Sequence, residues 1–201
     1  MNLILDKLPG SLNIGGVEYR IDTDFRTSIL FELLMLDDER SDKEKAQGIM
    51  ALYFPGKKPD FTEEMIDKIL WFYRGGKEEK KHRGSGGGDP LNPVYSFEHD
   101  DIYIYSAFME QYGIDLTTIK YMHWWKFKAL FLSLNDQVLF TKIMGYRSVK
   151  IEKMSKEQKR FYMDMKRMYA LPKSKSVQEK VDAIQEALMN GGDISKLMEG
   201  T

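Results

Sequence analysis

The stretch YMHWWKFKALFLSL, residues 121–134, holds two adjacent tryptophans, two phenylalanines, a histidine and two lysines. Its periodicity predicts a helix over residues 116–134. At about 100° per residue, Met122, Trp125, Ala129 and Leu132 share one narrow face and form a core stripe. Trp124, Phe127 and Phe131 fall on the opposite side, among Lys120, His123 and Lys126. A helix that is apolar on two sides needs a second cover. A second layer of helices supplies it in a bundle, where large aromatics bury their area internally. A partner protein supplies it otherwise. In that case Lys120, His123, Trp124, Lys126, Phe127 and Phe131 are the candidate partner-binding residues, with lysine stems laid over the aromatic rings.

The rest of the chain builds outward from this helix as more helices. Ser41…Glu44, Asp60…Glu63, Ser155…Gln158 and Ser176…Glu179 each set an N-cap oxygen three residues before a Glu or Gln. In such a capping box the two side chains satisfy orphan backbone donors at a helix start. Thr23 or Asp24, Asp115 and Asn135 are further N-cap candidates. Gly75-Gly76, Gly113, Gly145, Pro172 and Gly191-Gly192 follow apolar-periodic runs and read as stops. The helices predicted are about 24–38, 42–53, 61–74, 99–112, 116–134, 136–145, 156–170 and 177–189, with ends uncertain by about 2–4 residues. Before them, residues 11–14 and 17–21 flank Gly15-Gly16, a loop that permits positive φ and predicts a β-hairpin. Residues 94–97 are a candidate short strand pairing with it. The expected fold class is mainly α, a helical bundle with a small N-terminal β-hairpin.

The chain of 201 residues suits a single helical domain over 1–172 and a C-terminal helical tail over 173–201. Inside the domain, KEEKKHRGSGGGDPLNP (residues 77–93) has almost no apolar residue to offset the entropy of ordering it. It reads as a flexible surface loop. It is not a phosphate-binding loop, because GSGGGDP ends in an acid and a proline where a Lys and a Ser or Thr are needed.

Composition narrows the chemistry. There is no cysteine, which excludes disulfides and thiolate metal sites and fits a reducing compartment. MNLILD at the start meets charge too soon for a signal peptide, and no apolar run approaches the ~20 residues of a membrane span. Net charge is −1, but residues 142–175 are strongly basic and the first 75 lean acidic. A basic half is compatible with polyanion binding, although charge runs are usually solvated faces.

No catalytic motif emerges. His82 lies in the loop. His99 sits in EHDD, where consecutive helical residues point about 100° apart and cannot converge on one ion. The sequence has no Gly-x-Ser-x-Gly, no His-Glu-x-x-His and no dinucleotide fingerprint. No enzyme activity, cofactor or metal is expected.

Several blocks together resemble one family. LDKLP (5–9), GGVEYRIDTDFRTSILFELLMLDDE (15–39), LWFYRGGKEEKK (70–81), YSFEHDDIYIYSAFMEQYGIDL (95–116), HWWKFKALFLSL (123–134), IMGYRS (143–148) and FYMDMKRMYALP (161–172) look, in order, like the bacteriophage gene-product-fifteen family. The resemblance implies a phage or prophage tail-module protein encoded beside the tape-measure gene of long-tailed phages. That position implies a cytoplasmic tail assembly chaperone, with the tape-measure protein and the major tail-tube protein as partners. Self-association is compatible with it, and nucleic-acid binding through residues 142–175 is the less favoured reading. The alternative is a structural component retained in the virion tail. No catalytic residue comes with the family.

Overall fold

The computed structural model describes residues 2–77 and 93–172. Most of the loop expected over 77–93, and the tail and helix expected beyond 172, lie outside the described residues. Within them the order is β1 (Ser11–Ile14), β2 (Val17–Arg20), α1 (Phe25–Leu36), α2 (Asp42–Tyr53), α3 (Glu63–Tyr73), α4 (Asp101–Tyr112), α5 (Trp124–Leu132), α6 (Leu139–Ser148) and α7 (Lys156–Met168). The protein is mainly α, with one two-stranded antiparallel hairpin. Ser11 faces Arg20 and Ile14 faces Val17. Gly15 and Gly16 make the turn at φ +57° and +77°, a conformation that L side chains disfavour. Residues 94–97 form no strand: the described sheet has only β1 and β2, and the Val94 carbonyl accepts from Arg147 instead.

Local chemistry starts the helices. Ser41 with Glu44, and Ser155 with Gln158, form complete capping boxes on α2 and α7. Asp24 caps α1. The cap of α3 is Thr62, not Asp60. At the other ends, Gly113 closes α4 in the left-handed conformation. Gly145 stops nothing, since α6 runs through it to Ser148.

The main departure is α5, which begins at Trp124 rather than 116. Three contacts hold the preceding segment out of the helix. Asp115 Oδ1 accepts from the Thr117 amide at 2.9 Å, a local turn that competes with helix. The Arg26 guanidinium takes the Leu116 and Ile119 carbonyls, each at 2.8 Å. Residues 122–124 then run extended beside 23–25: the Phe25 amide donates to the Met122 carbonyl at 2.9 Å and Trp124 to Thr23 at 2.8 Å.

The core gathers around α5. Its Phe127 stacks on Phe25 of α1 at 4.7 Å and on Phe108 of α4 at 5.0 Å. Phe131 meets Phe140 of α6 at 5.4 Å. Trp125 meets Trp71 of α3 at 5.5 Å. Around this centre α1 packs on α2 and α5, α3 on β1, α4 on α6, and α6 on α7.

Candidate functional site

The two aromatic faces of α5 are both interior. Trp124, Phe127 and Phe131 are 3 %, 0 % and 8 % exposed, and His123 is 5 % exposed. Four of the six candidate partner-binding residues therefore belong to the core, and only Lys120 and Lys126 reach the surface. The reason is the second layer of helices: α1, α3, α4 and α6 all place rings against α5. The expected stripe also shifts. Trp125 is buried as expected, but Leu132 is exposed and Met122 precedes the helix.

The polar tips of these residues close the C-terminus of α3. The Trp124 indole Nε1 donates to the Tyr73 carbonyl at 2.8 Å, and Trp125 Nε1 to Phe72 at 2.7 Å. Lys128 Nζ joins on Tyr73 at 3.0 Å. Terminal carbonyls of a helix lack intrahelical donors and favour a cation. The Tyr73 hydroxyl in turn donates to Glu32. Burial raises the Glu32 carboxyl above its ordinary value and lowers the Lys128 ammonium, and each charge opposes the shift of the other.

His123 is the N-cap of α5. Its Nδ1 accepts from the Trp125 amide at 3.0 Å. Nε2 therefore carries the hydrogen and donates to the Pro9 carbonyl at 3.1 Å. Burial pushes its pKa below the usual 6.5, partly offset by the Pro9 bond. The sequence gives no helix-start signal here, because histidine is not among the preferred N-cap residues.

The acidic EHDD run does not converge. Asp100 turns inward onto Arg147, Asp101 opens α4, and His99 lies exposed 3.8 Å from Glu98. Among the described residues no group of three or more His, Asp or Glu is placed to hold a metal ion. An open cleft between β1 and α3 is lined by Ser11, Asn13, Glu64, Asp67 and Lys68. Both Glu64 oxygens there approach the Gly15 amide at 3.2 Å.

The surface feature that stands out is α7. It is strongly amphipathic, yet none of its residues is buried. One side rests on α6: Tyr146 touches Phe161, Tyr162 and Tyr169. Lys166 donates to the Arg147 carbonyl at 3.0 Å. Phe161, Met163 and Met168 remain 50 %, 56 % and 66 % exposed, among Lys156, Arg160 and Arg167. The basic stretch that opens this region is less available than its sequence suggests. Arg147 is consumed inside the fold, and Lys166 is spent on a carbonyl. No described helix is long and apolar enough to cross a membrane.

Residues 4–171 match the family described as Bacteriophage Gp15 protein. No curated protein and no solved structure matches the chain.

Proposed function

Because the chain belongs to the bacteriophage Gp15 family, we propose that it is a tail assembly chaperone that binds the tape-measure protein and tail-tube subunits through the exposed side of α7. The observation that carries this reading is that α7 buries no residue, with Phe161 and Met168 exposed along one edge, Met163 along the other and cations between them. Contiguous exposed apolar surface marks interaction sites, and Phe161 and Met168, seven residues apart, are neighbours on one edge of α7. Methionine adapts its shape to irregular partners, and a flanking basic rim steers an acidic partner and sets its register. A helix presented in this way suits docking along another helix, and a tape-measure protein is the partner that the family resemblance implies.

Co-expression with the neighbouring tape-measure and tail-tube proteins, followed by affinity capture, tests the proposal. Recovery of both partners is expected, and recovery of neither contradicts it. A structural tail component is the alternative. The chaperone is expected in infected lysate and missing from purified virions, whereas a component is retained in them.

A further inference from the structure

We propose that the free edge of β1 takes an added strand: an extended segment of a partner protein, with arginine or lysine at alternate positions, laid in the cleft between β1 and α3. The backbone leaves hydrogen-bonding groups open there, and the side chains beside them select a cation.

The open groups follow from the register of the hairpin. In an antiparallel ladder, bonded and unbonded pairs alternate. The Ile21 amide donates to the Gly10 carbonyl at 3.0 Å, which fixes the phase. Leu12 with Tyr19 and Ile14 with Val17 are then bonded pairs, and Ser11 with Arg20 and Asn13 with Glu18 are unbonded ones. The amides and carbonyls of Ser11 and Asn13 therefore point away from β2. None of the four has a hydrogen-bond partner among the described residues. An antiparallel strand opposite Ser11 and Asn13 would engage all four. The other edge of the hairpin carries Glu18 and Arg20, charges that discourage pairing. The β1 edge carries only the small side chains of Ser11 and Asn13.

The wall beside this edge is α3. The cleft between them has a volume of about 630 Å³, and α3 lines it with Glu64, Asp67, Lys68 and Trp71. Their spacing of three, four and seven residues places them on one side of the helix. The Gly15 amide holds Glu64 at the turn end of β1. From Glu64 to Trp71 the helix advances about 10 Å, the length of about three strand residues. Trp71 thus comes alongside the Pro9 end of the edge, and Pro9 also lines the cleft.

The pleat then sorts the occupant. Residues opposite one another on paired strands share a face. Ser11 and Asn13 are exposed, whereas Leu12 and Ile14 are buried. In the added strand, residues opposite Ser11 and Asn13 face solvent, and those opposite Leu12 and Ile14 turn toward α3. The first of these meets Asp67 and Trp71, and the second meets Glu64. Asp67 is exposed and has no hydrogen bond or ion pair among the described residues. A carboxylate beside an indole favours a cation through charge-assisted bonding and through the ring quadrupole. In strand addition the main chain supplies affinity and alternate side chains supply specificity.

Amide exchange of the full-length chain, read by NMR with an acetylated hexapeptide alternating valine and arginine, tests the proposal. Ser11 and Asn13 are expected to exchange quickly in the free chain and at least about tenfold more slowly at saturating peptide. Methylating the valine amides, which point at β1 in this register, is expected to abolish the slowing. Methylating the arginine amides, which point away, is expected to leave it. Asp67→Lys is expected to weaken binding at least about tenfold while residues 124–132 stay protected, which certifies the fold. No slowing at Ser11 and Asn13 overturns the proposal. So does equal slowing by a peptide alternating valine and glutamate, or by the peptide methylated on its valines. Slow exchange at both amides in the dilute free chain assigns the edge to the chain itself, and slowing that grows with protein concentration assigns it to a second copy; both results also overturn the proposal. The β1 edge shares no residue with α7, so none of these outcomes depends on whether α7 docks a tail protein.

Discussion

Arg147 of α6 grips Asp100 at the entrance of α4 with two parallel bonds, Nη1 to Oδ2 at 2.6 Å and Nη2 to Oδ1 at 2.8 Å. The two side chains are only 9 % and 1 % exposed. The guanidinium also donates to the Val94 and Tyr169 carbonyls, and Asp100 accepts the Ser96 amide. One pair thus ties the segment before α4 to α6 and to the end of α7. Removing one partner strands a buried charge. Arg147→Met is expected to lower stability by roughly 3–5 kcal/mol, read from urea unfolding. Replacing both, as Arg147→Met with Asp100→Leu, is expected to recover most of that loss, because no unpaired charge is left.

The burial of both faces of α5 changes what its aromatic residues are expected to do. Trp124→Ala, Trp125→Ala and Phe127→Ala are each expected to cost about 3–5 kcal/mol, the range for truncating a large buried ring. Urea unfolding of the three variants checks this. A Trp124 variant that unfolds like the parent would return that residue to the surface.

Gly76 is held by backbone and packing together. Its φ is +74°, and a Cβ there would sit 2.5 Å from the Trp125 ring. Gly16 has a similar φ of +77° but open space around it. Gly16→Ala is therefore expected to cost about 1–2 kcal/mol from the left-handed conformation alone. Gly76→Ala is expected to cost about 1–3 kcal/mol more, from overpacking against the indole. Thermal or urea unfolding of the two variants measures the difference.

His123 gives the protein an acid sensitivity. Its Nδ1 must stay unprotonated to accept from Trp125, and its pKa lies below 6.5 in the folded chain. A base with a lowered folded pKa binds fewer protons than it does unfolded. Its stabilising contribution is present above 6.5 and fades as pH falls from there through the folded value. The urea midpoint is expected to decline over that window. His123→Asn supplies a side-chain oxygen as N-cap acceptor in place of Nδ1 but cannot titrate, so its profile is expected to be flatter.

Much of the fold is legible in the sequence because it is written locally. The Ser41 and Ser155 boxes, the Gly15-Gly16 turn and the Gly113 stop each depend on residues within one turn, and the structure contains all four. What escapes is set by distant contacts. Periodicity runs without a break through residues 116–123, yet Arg26 and the strand-like pairing with residues 23–25 keep them out of α5. The helical wheel sets Trp124, Phe127 and Phe131 opposite the Trp125 stripe, which leaves a bundle centre and a docking face both open. Their spacing could not reveal which side other helices would cover, since a helix with two apolar sides fits a bundle centre and a docking surface alike. The exposed side of α7 was hidden for the opposite reason. Large apolar residues are ordinarily core, and only the packing shows that Phe161, Met163 and Met168 stay outside.

The most direct test of the account is the affinity of the full-length chain for the tape-measure protein, parent against a Phe161→Ser, Met163→Ser, Met168→Ser variant. Met163 and Met168 are largely exposed and Phe161 is half-exposed against Tyr146, so the variant is expected to stay folded with only a small drop in the urea midpoint. Its affinity is expected to fall at least about tenfold, since interface energy concentrates in a few large residues. Unchanged affinity in a variant that folds like the parent would contradict the assignment of α7 as the docking face.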